Sequence, residues 1–313
     1  MMISGTATAE DAPSGLSGSK ETAQDQVSVG MGLLAGSIVM PLTLLWGSCV
    51  VVGKCDLVDA NAKDEVHTKG LSLTGSGVNA DIWTTYAAST VVLSVAPFAI
   101  VQLPRVLSTI VESLLFILTA LILSIAFLIS YCLYQQTRKE CDLLGDSSED
   151  DDGGIENPRW NAFKAMMMLL SITAAVCLFA NPLVDAVNKF SSATEVPRFF
   201  VSFVVLPFAS CSEGVSALIF IRNKKHKTAS LTFSQIYGSV TMSNILSLSV
   251  FLGLVYVREL TWSFSSEVLV IVLVCILMGV FASFRTTFSL WTCLVAFLLY
   301  PLSILLVYVL GTR

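Results

Sequence analysis

Eight stretches of the chain are apolar over a run long enough to cross a lipid bilayer as helices. A crossing helix needs about 20 apolar residues to span roughly 30 Å of hydrocarbon. The stretches cover residues 30–52, 83–103, 107–134, 162–181, 197–221, 234–257, 266–284 and 288–310. The pattern therefore predicts an all-α, polytopic membrane protein with about eight transmembrane helices.

Polar stretches divide the chain into four parts. A polar N-terminal segment over residues 1–29 precedes a membrane half of three helices over 30–134. An acidic loop over 135–161 leads to a membrane half of five helices over 162–313. The acidic residues of the loop lack the spacing of an EF-hand, which needs a glycine at its sixth and a glutamate at its twelfth position. We interpret the loop as a solvated connector.

The composition narrows the class of protein. Hydrophobic residues make up 54% of the chain and charged residues 13%, against about 25% charged residues in a soluble domain. The net charge of −5 gives no basic surface for nucleic acid. Both histidines, His67 and His226, fall in polar loops, which argues against an intramembrane hydrolase or a haem protein. The sequence predicts neither an enzyme nor a bound cofactor.

The basic residues indicate the orientation. The loop after the fifth run is the most basic, with Arg222, Lys224, Lys225 and Lys227. Short basic loops face the cytoplasm. Alternation then places the loops after the first, third and seventh runs on the cytoplasmic side, including the acidic loop over 135–161.

Two segments of the chain resemble each other. Aligning residues 22–47 with residues 228–253 gives identical residues at several positions, including Gly32 with Gly238 and Ser37 with Ser243. The segments belong to the first and sixth runs, which cross in opposite directions. Inverted repeats are typical of secondary transporters, whose substrate lies at the repeat interface. The alternative is two ordinary spans with small residues at packing faces.

The fifth run contains a carboxylate and a proline. Glu213 lies eight residues before the end of the run, about 12 Å deep at 1.5 Å per residue. A carboxylate at this depth is costly unless it is paired, protonated or bound to a cation. Pro207 removes a helical hydrogen bond near the carbonyl of Phe203. Together with Ser210, these groups offer the oxygen ligands of a hard cation; the alternative is a protonated Glu213 hydrogen-bonded to a neighbouring helix.

The sixth run adds a second polar stripe. Gln235, Ser239 and Ser243 fall near one helical face. Asn244 is a neutral amide that can coordinate a metal or form a hydrogen bond. The alternative for each hydroxyl is helix packing.

These residues carry a resemblance to a known family. The stretch Gly238–Asn244 is similar to a G-N-V-x-G-S-N type motif, and Phe208–Glu213 to a G-T-S-x-P-E type motif. Residues 14–26, 32–37, 46–49 and 54–57 continue the match. The chain resembles the cation/calcium exchanger superfamily, in particular the plant sodium/calcium exchanger-like proteins, with the second repeat at about 197–257.

The resemblance implies a function and a site. It implies that calcium is exchanged for sodium or protons by alternating access, in the vacuolar or plasma membrane. The implied partners are the lipid bilayer and inorganic cations. The expected cation-binding residues are Glu213, Ser210, Gln235, Ser239, Ser243, Asn244 and Ser37, with Glu213 and Asn244 as metal ligands.

The chain also departs from the family pattern. The family has ten core helices, so we expect an exchanger fold that lacks the first two helices and the paired EF-hands, with a remnant of the first repeat linker in residues 1–29. One acidic helix would be missing, and we expect little exchange by this chain alone. The alternative function is a non-transporting, truncated paralogue that forms oligomers with, or modulates, a complete exchanger.

The predicted topology is testable with single cysteines introduced into the loops. We expect cysteines in 222–233 and 135–161 to react with an impermeant thiol reagent from the cytoplasmic side, and cysteines in 182–196 to react from the opposite side. Labelling of 222–233 and 135–161 from opposite sides contradicts the span count.

Overall fold

A computed structural model describes residues 20–58, 61–62, 73, 75–106, 113–145, 158–209, 212–222, 226–258, 260 and 265–311. Six helical segments in this part of the chain are long and apolar enough to cross a membrane: Gln26–Val52, Ile82–Leu103, Leu115–Thr137, Ala229–Arg258, Ser266–Ser283 and Trp291–Leu310. They coincide with six of the eight predicted runs. The prediction of an all-α, multi-pass membrane protein is confirmed.

Helices account for most of the described residues. Two of them are short π-helical turns, named π1 and π2 here. In chain order the helices are α1 Lys20–Met40, π1 Pro41–Leu45, α2 Trp46–Val52, α3 Ile82–Ser94, α4 Ala96–Val106, α5 Ser113–Gly145, α6 Pro158–Thr194, α7 Arg198–Phe200, π2 Val201–Val205, α8 Leu206–Ala209, α9 Ser212–Ile221, α10 His226–Arg258, α11 Ser265–Ser283 and α12 Trp291–Gly311.

The two remaining predicted runs take other forms. The run 162–181 lies within the long helix α6, and the run 197–221 is divided among α7, π2, α8 and α9. Pro207 lies in α8, two residues after π2, and cannot donate a backbone hydrogen bond, which explains why the regular α-helical hydrogen bonds change register at π2.

Helix boundaries differ from the predicted polar segments. Helix α1 begins at Lys20, inside the segment 1–29, and α5 continues to Gly145, inside the loop 135–161. The residues concerned include many Lys, Glu, Gln and Arg, which are good helix formers. The helices therefore extend beyond their apolar stretches into polar sequence.

A small antiparallel sheet joins two distant loops. Its strands are β1 Cys55–Val58, β2 Asn61–Ala62, β3 Ser76–Asn79 and β4 Thr287–Ser289, in the order β2-β1-β3-β4. Val78 pairs with Phe288 in the centre of the β3–β4 ladder. The sequence analysis did not predict this sheet.

Contacts between distant parts of the chain show which loops share one end of the helix bundle. The sheet brings the loop after the first run to the loop after the seventh. The backbone N–H of Asp81 donates to Ser230 Oγ at 3.1 Å, and a Cβ on Gly53 would lie 2.8 Å from Ile221. The end of α9 and the starts of α3 and α10 therefore lie at this same end, as the alternation of spans predicted.

An aromatic cluster fills the core beneath the sheet. The centroid of the Trp46 ring lies 5.7 Å from the ring centroid of Phe233, 6.1 Å from that of Phe281 and 5.2 Å from that of Phe288. Trp46, Phe233 and Phe288 are fully buried. Because Phe288 belongs to β4, the sheet contributes directly to the core between the helices.

Helix α1 packs against the broken segment at a glycine. A Cβ on Gly36 would overlap the carbonyl oxygen of Phe203 and lie 2.6 Å from Cγ of Pro207. The overlap is with a backbone atom, which cannot move aside as the end of a flexible side chain can. Only glycine permits this close approach, because it has no Cβ.

The contact predicts a large effect of a single methyl group. We expect Gly36→Ala to lower the free energy of unfolding by about 1–3 kcal/mol, the usual range for overpacking. Gly253→Ala is the matched control in α10, because its Cβ would meet nothing within 4 Å. Thermal unfolding of the purified variants in detergent measures the difference. Equal melting temperatures for the two variants contradict the packing described here.

Candidate functional site

Two membrane helices are interrupted by π-helical turns with a proline in or beside each turn. In π1, the N–H of Trp46 donates to the carbonyl of Pro41, five residues back. After π2, the N–H of Leu206 donates to the carbonyl of Val201, again five residues back, and Pro207 follows. π-Turns are rare and occur often at functional sites. Both interruptions lie in the region where the two repeats were predicted to meet.

A cavity of about 660 Å³ lies between the interrupted helices and α10. Helix α1 and π1 form one wall, α8 and α9 the second, and α10 the third. Its lining residues are Ser37, Met40, Pro41, Leu45, Pro207, Gly214, Ser216, Ala217, Thr232, Gln235, Ile236, Ser239 and Ser243. All of these side chains are uncharged, and the polar ones carry hydroxyl or amide groups.

Four of the predicted site residues line this cavity. Gln235, Ser239 and Ser243 come from α10, and Ser37 comes from α1. Ser37 and Ser243 occupy equivalent positions in the two segments that the sequence comparison aligned. The structure therefore brings the two halves of the internal repeat to one cavity.

Two predicted residues, Ser210 and Glu213, are not fully described. Ser210 lies outside the described residues, and so does the side chain of Glu213, whose backbone belongs to α9. Gly214, the next residue of α9, lines the cavity. Among the described side chains there is no group of three His, Cys, Asp or Glu residues that fits a metal ion. Glu213 therefore belongs to a helix that forms one wall of the cavity.

Asn244 occupies a different place from the other predicted ligands. Its side chain is fully buried, and it is not among the residues that line the cavity. Its Nδ2 donates to Ser94 Oγ at 2.9 Å and to Cys275 Sγ at 3.6 Å. The amide thus joins α10 to α3 and α11, on a different face of α10 from Ser243.

Hydroxyl groups hold the rest of α10 to its neighbours. Ser230 Oγ lies 3.2 Å from the Thr84 hydroxyl of α3, and Ser249 Oγ lies 2.7 Å from Ser124 Oγ of α5. These pairs occur on faces of α10 that do not line the cavity. The packing therefore fixes the rotation of α10 and leaves Gln235, Ser239 and Ser243 directed to the cavity.

A smaller cavity of about 430 Å³ lies on the adjoining face of α10, against α5. There the Tyr131 hydroxyl donates to the carbonyl of Gly238 at 3.2 Å, and Gln135 Nε2 donates to Tyr131 at 2.7 Å. Gly238 is the repeat equivalent of Gly32, which packs against Ser202 in π2. The two glycines serve close packing against different partners.

The sequence analysis missed Pro41 and the π-turn that contains it. The available signal was a proline within an otherwise apolar run, in a segment already aligned with the sixth span. Without the structure, that proline gives no indication that it lines the same cavity as Pro207.

The fold and the cavity define an integral, multi-pass membrane protein with an internal repeat in opposite orientations around a polar cavity. Residues 164–309 match the family model described as sodium/calcium exchanger protein. The chain is 40% identical to the sodium/calcium exchanger NCL of Arabidopsis thaliana, over 95% of this chain and 76% of the relative. It is 39% identical to NCL1 of Oryza sativa subsp. japonica, over 95% of this chain and 75% of the relative.

A third relative gives the same result. NCL2 of Oryza sativa subsp. japonica is 40% identical over 96% of this chain and 76% of its own length. The chain belongs to the sodium/calcium exchanger family. The resemblance stated from its motifs is confirmed, and the relatives are by name transporters rather than enzymes.

The placement of Asn244 and Ser243 predicts different effects for two neighbouring substitutions. We expect Asn244→Ala to lower stability by about 1–3 kcal/mol, because a buried hydrogen-bonding group is lost between three helices. Ser243→Ala faces the cavity and should leave the melting temperature nearly unchanged. Thermal unfolding without added cations compares the variants. A greater loss of stability in Ser243→Ala contradicts this assignment.

Proposed function

We propose that this chain is a cation antiporter that exchanges calcium for sodium or protons by alternating access. The observation that carries the proposal is the position of Ser37 and Ser243, equivalent residues of two oppositely directed segments that line one cavity. Transporters built from inverted repeats bind their substrate at the repeat interface, where broken helices supply backbone groups. Family membership supports the same assignment.

The chemistry of the cavity suits a hard cation. Calcium takes 6–8 oxygen ligands from carboxylates, carbonyls, amides and water. Ser37, Gln235, Ser239 and Ser243 supply neutral oxygens, and Glu213 supplies the negative charge. The counter-ion is sodium or a proton, and the resemblance favours the vacuolar or plasma membrane.

The neutral lining favours a second candidate function. No described side chain in the cavity lining carries a charge, so Glu213 alone would compensate a divalent ion there. One uncompensated charge in a site of low dielectric costs on the order of several kcal/mol. A member of the family that binds cations weakly and assembles with, or modulates, a complete exchanger also fits this cavity.

The role of the carboxylate is testable by calcium binding. We expect Glu213→Gln to remove most binding of radioactive calcium, and Ser239→Ala only to weaken it, because the serine contributes a neutral oxygen. Glu267→Gln is the matched control. Its carboxylate accepts a hydrogen bond from Ser266 Oγ at 2.8 Å, in the first turn of α11 and away from the cavity. Unchanged binding by Glu213→Gln places the site elsewhere.

Flux separates the two candidate functions. The 313-residue chain is reconstituted into vesicles, and calcium uptake is measured against a sodium gradient and, separately, a proton gradient. Calcium uptake that is abolished by Glu213→Gln supports the antiporter. The gradient that drives this uptake identifies the counter-ion. Calcium binding without flux supports the modulating role, which co-reconstitution with a complete exchanger then tests.

A further inference from the structure

The wall of the cavity formed by α1 contains a backbone oxygen that has lost its usual helical donor. In an α-helix each carbonyl accepts a hydrogen bond from the N–H four residues later. The residue four positions after Ser37 is Pro41, which has no N–H. Both residues line the cavity. Pro41 thus removes a helical N–H donor in the first repeat, as Pro207 does in the second.

The cavity lies on the C-terminal side of Ser37, the side towards which this carbonyl points along the helix axis. Carbonyl groups of a helix point towards its C-terminal end, and every residue that α1 and π1 contribute to the lining lies at or beyond Ser37, as Met40, Pro41 and Leu45 do. The Ser37 hydroxyl is directed the other way, because it donates to the carbonyl of Leu34 at 2.9 Å. Leu34 is fully packed in the core and does not line the cavity.

The local structure differs from an ordinary proline kink. Pro182 in α6 and Pro301 in α12 both lie inside helices, and neither helix contains a π-turn. Within the described residues, π-turns occur only at π1 and π2. Each is associated with a proline that lines the cavity. The combination of proline and π-turn is thus confined to the walls of this cavity.

We propose that the main-chain carbonyl oxygen of Ser37 is a ligand for the transported cation, and that Pro41 acts by keeping this oxygen free of a helical donor. Main-chain carbonyls are ligands for calcium and sodium alike. In transporters, unwound carbonyls coordinate the coupling cation. This ligand adds an oxygen without adding charge, and its role rests on the proposed cation site.

The first test restores the helical donor. Pro41→Ala supplies an N–H four residues after Ser37, and we expect it to weaken calcium binding roughly tenfold, equivalent to about 1.4 kcal/mol. Pro301→Ala is the matched control, since it makes the same change in a membrane helix away from the cavity. Unchanged calcium affinity in a folded Pro41→Ala variant overturns the inference.

A second test weakens the oxygen itself and does not depend on the folding of Pro41→Ala. Replacing Ile38 by its α-hydroxy acid makes the preceding peptide an ester, which lowers the acceptor strength of the Ser37 carbonyl. The same replacement at Val39 changes the Ile38 carbonyl and serves as the control, since Ile38 does not line the cavity. We expect weaker calcium binding only for the ester at position 38.

Substitution of the Ser37 side chain distinguishes the hydroxyl from the main-chain carbonyl as the ligand. We expect Ser37→Ala to weaken calcium binding less than the position-38 ester does, because the Ser37 hydroxyl donates to Leu34 and the proposed ligand is the main chain. If Ser37→Ala loses calcium binding and the position-38 ester binds calcium normally, the ligand is the hydroxyl and the inference is overturned. A parent chain that binds no calcium refutes the proposed function instead, whereas binding that is sensitive to Glu213→Gln but not to the position-38 ester refutes only this ligand.

Discussion

The contact of Gly36 with the backbone at Phe203 is the constraint on which the functional region depends. It allows helix α1 to approach the interrupted segment very closely. Only a hydrogen atom fits between Cα of Gly36 and the carbonyl group of Phe203. This approach places Pro207 against α1 and brings the wall formed by α8 and α9 opposite α10. A wider separation would move those walls apart and change the distances between their oxygen groups.

The cavity combines interrupted helices on two sides with a continuous helix on the third. The prolines beside the π-turns remove helical N–H donors, whereas α10 presents side chains at a rotation fixed by its contacts with α3 and α5. Neutral oxygens from both sources need little reorganisation to replace a cation's water shell, but they provide no charge. Under the proposed function, Glu213 is the residue that supplies the negative charge.

Much of the architecture was predictable because hydropathy reports the length and apolar character of a helix directly. The shared cavity position of Ser37, Gln235, Ser239 and Ser243 was predictable because the repeat and the helical period place them on related faces. Asn244 was harder, since neighbouring positions on a helix differ by about 100° and packing decides which of them faces the cavity. The π-turns and the sheet escaped prediction because a hydropathy pattern contains no information on hydrogen-bond register or on pairing between distant strands.

The pairing of β3 with β4 has a consequence for the order in which the protein is assembled. The Thr287 hydroxyl donates to Asn79 Oδ1 across 208 positions of sequence, and Phe288 of the same strand completes the aromatic cluster around Trp46. During synthesis, the first helices enter the membrane long before β4 exists. The strand β3 and one side of Trp46 therefore gain these partners only after the segment between α11 and α12 has been synthesised. Premature termination before residue 287 would leave an unpaired strand edge and an unfilled aromatic site, both of which a quality-control chaperone can recognise.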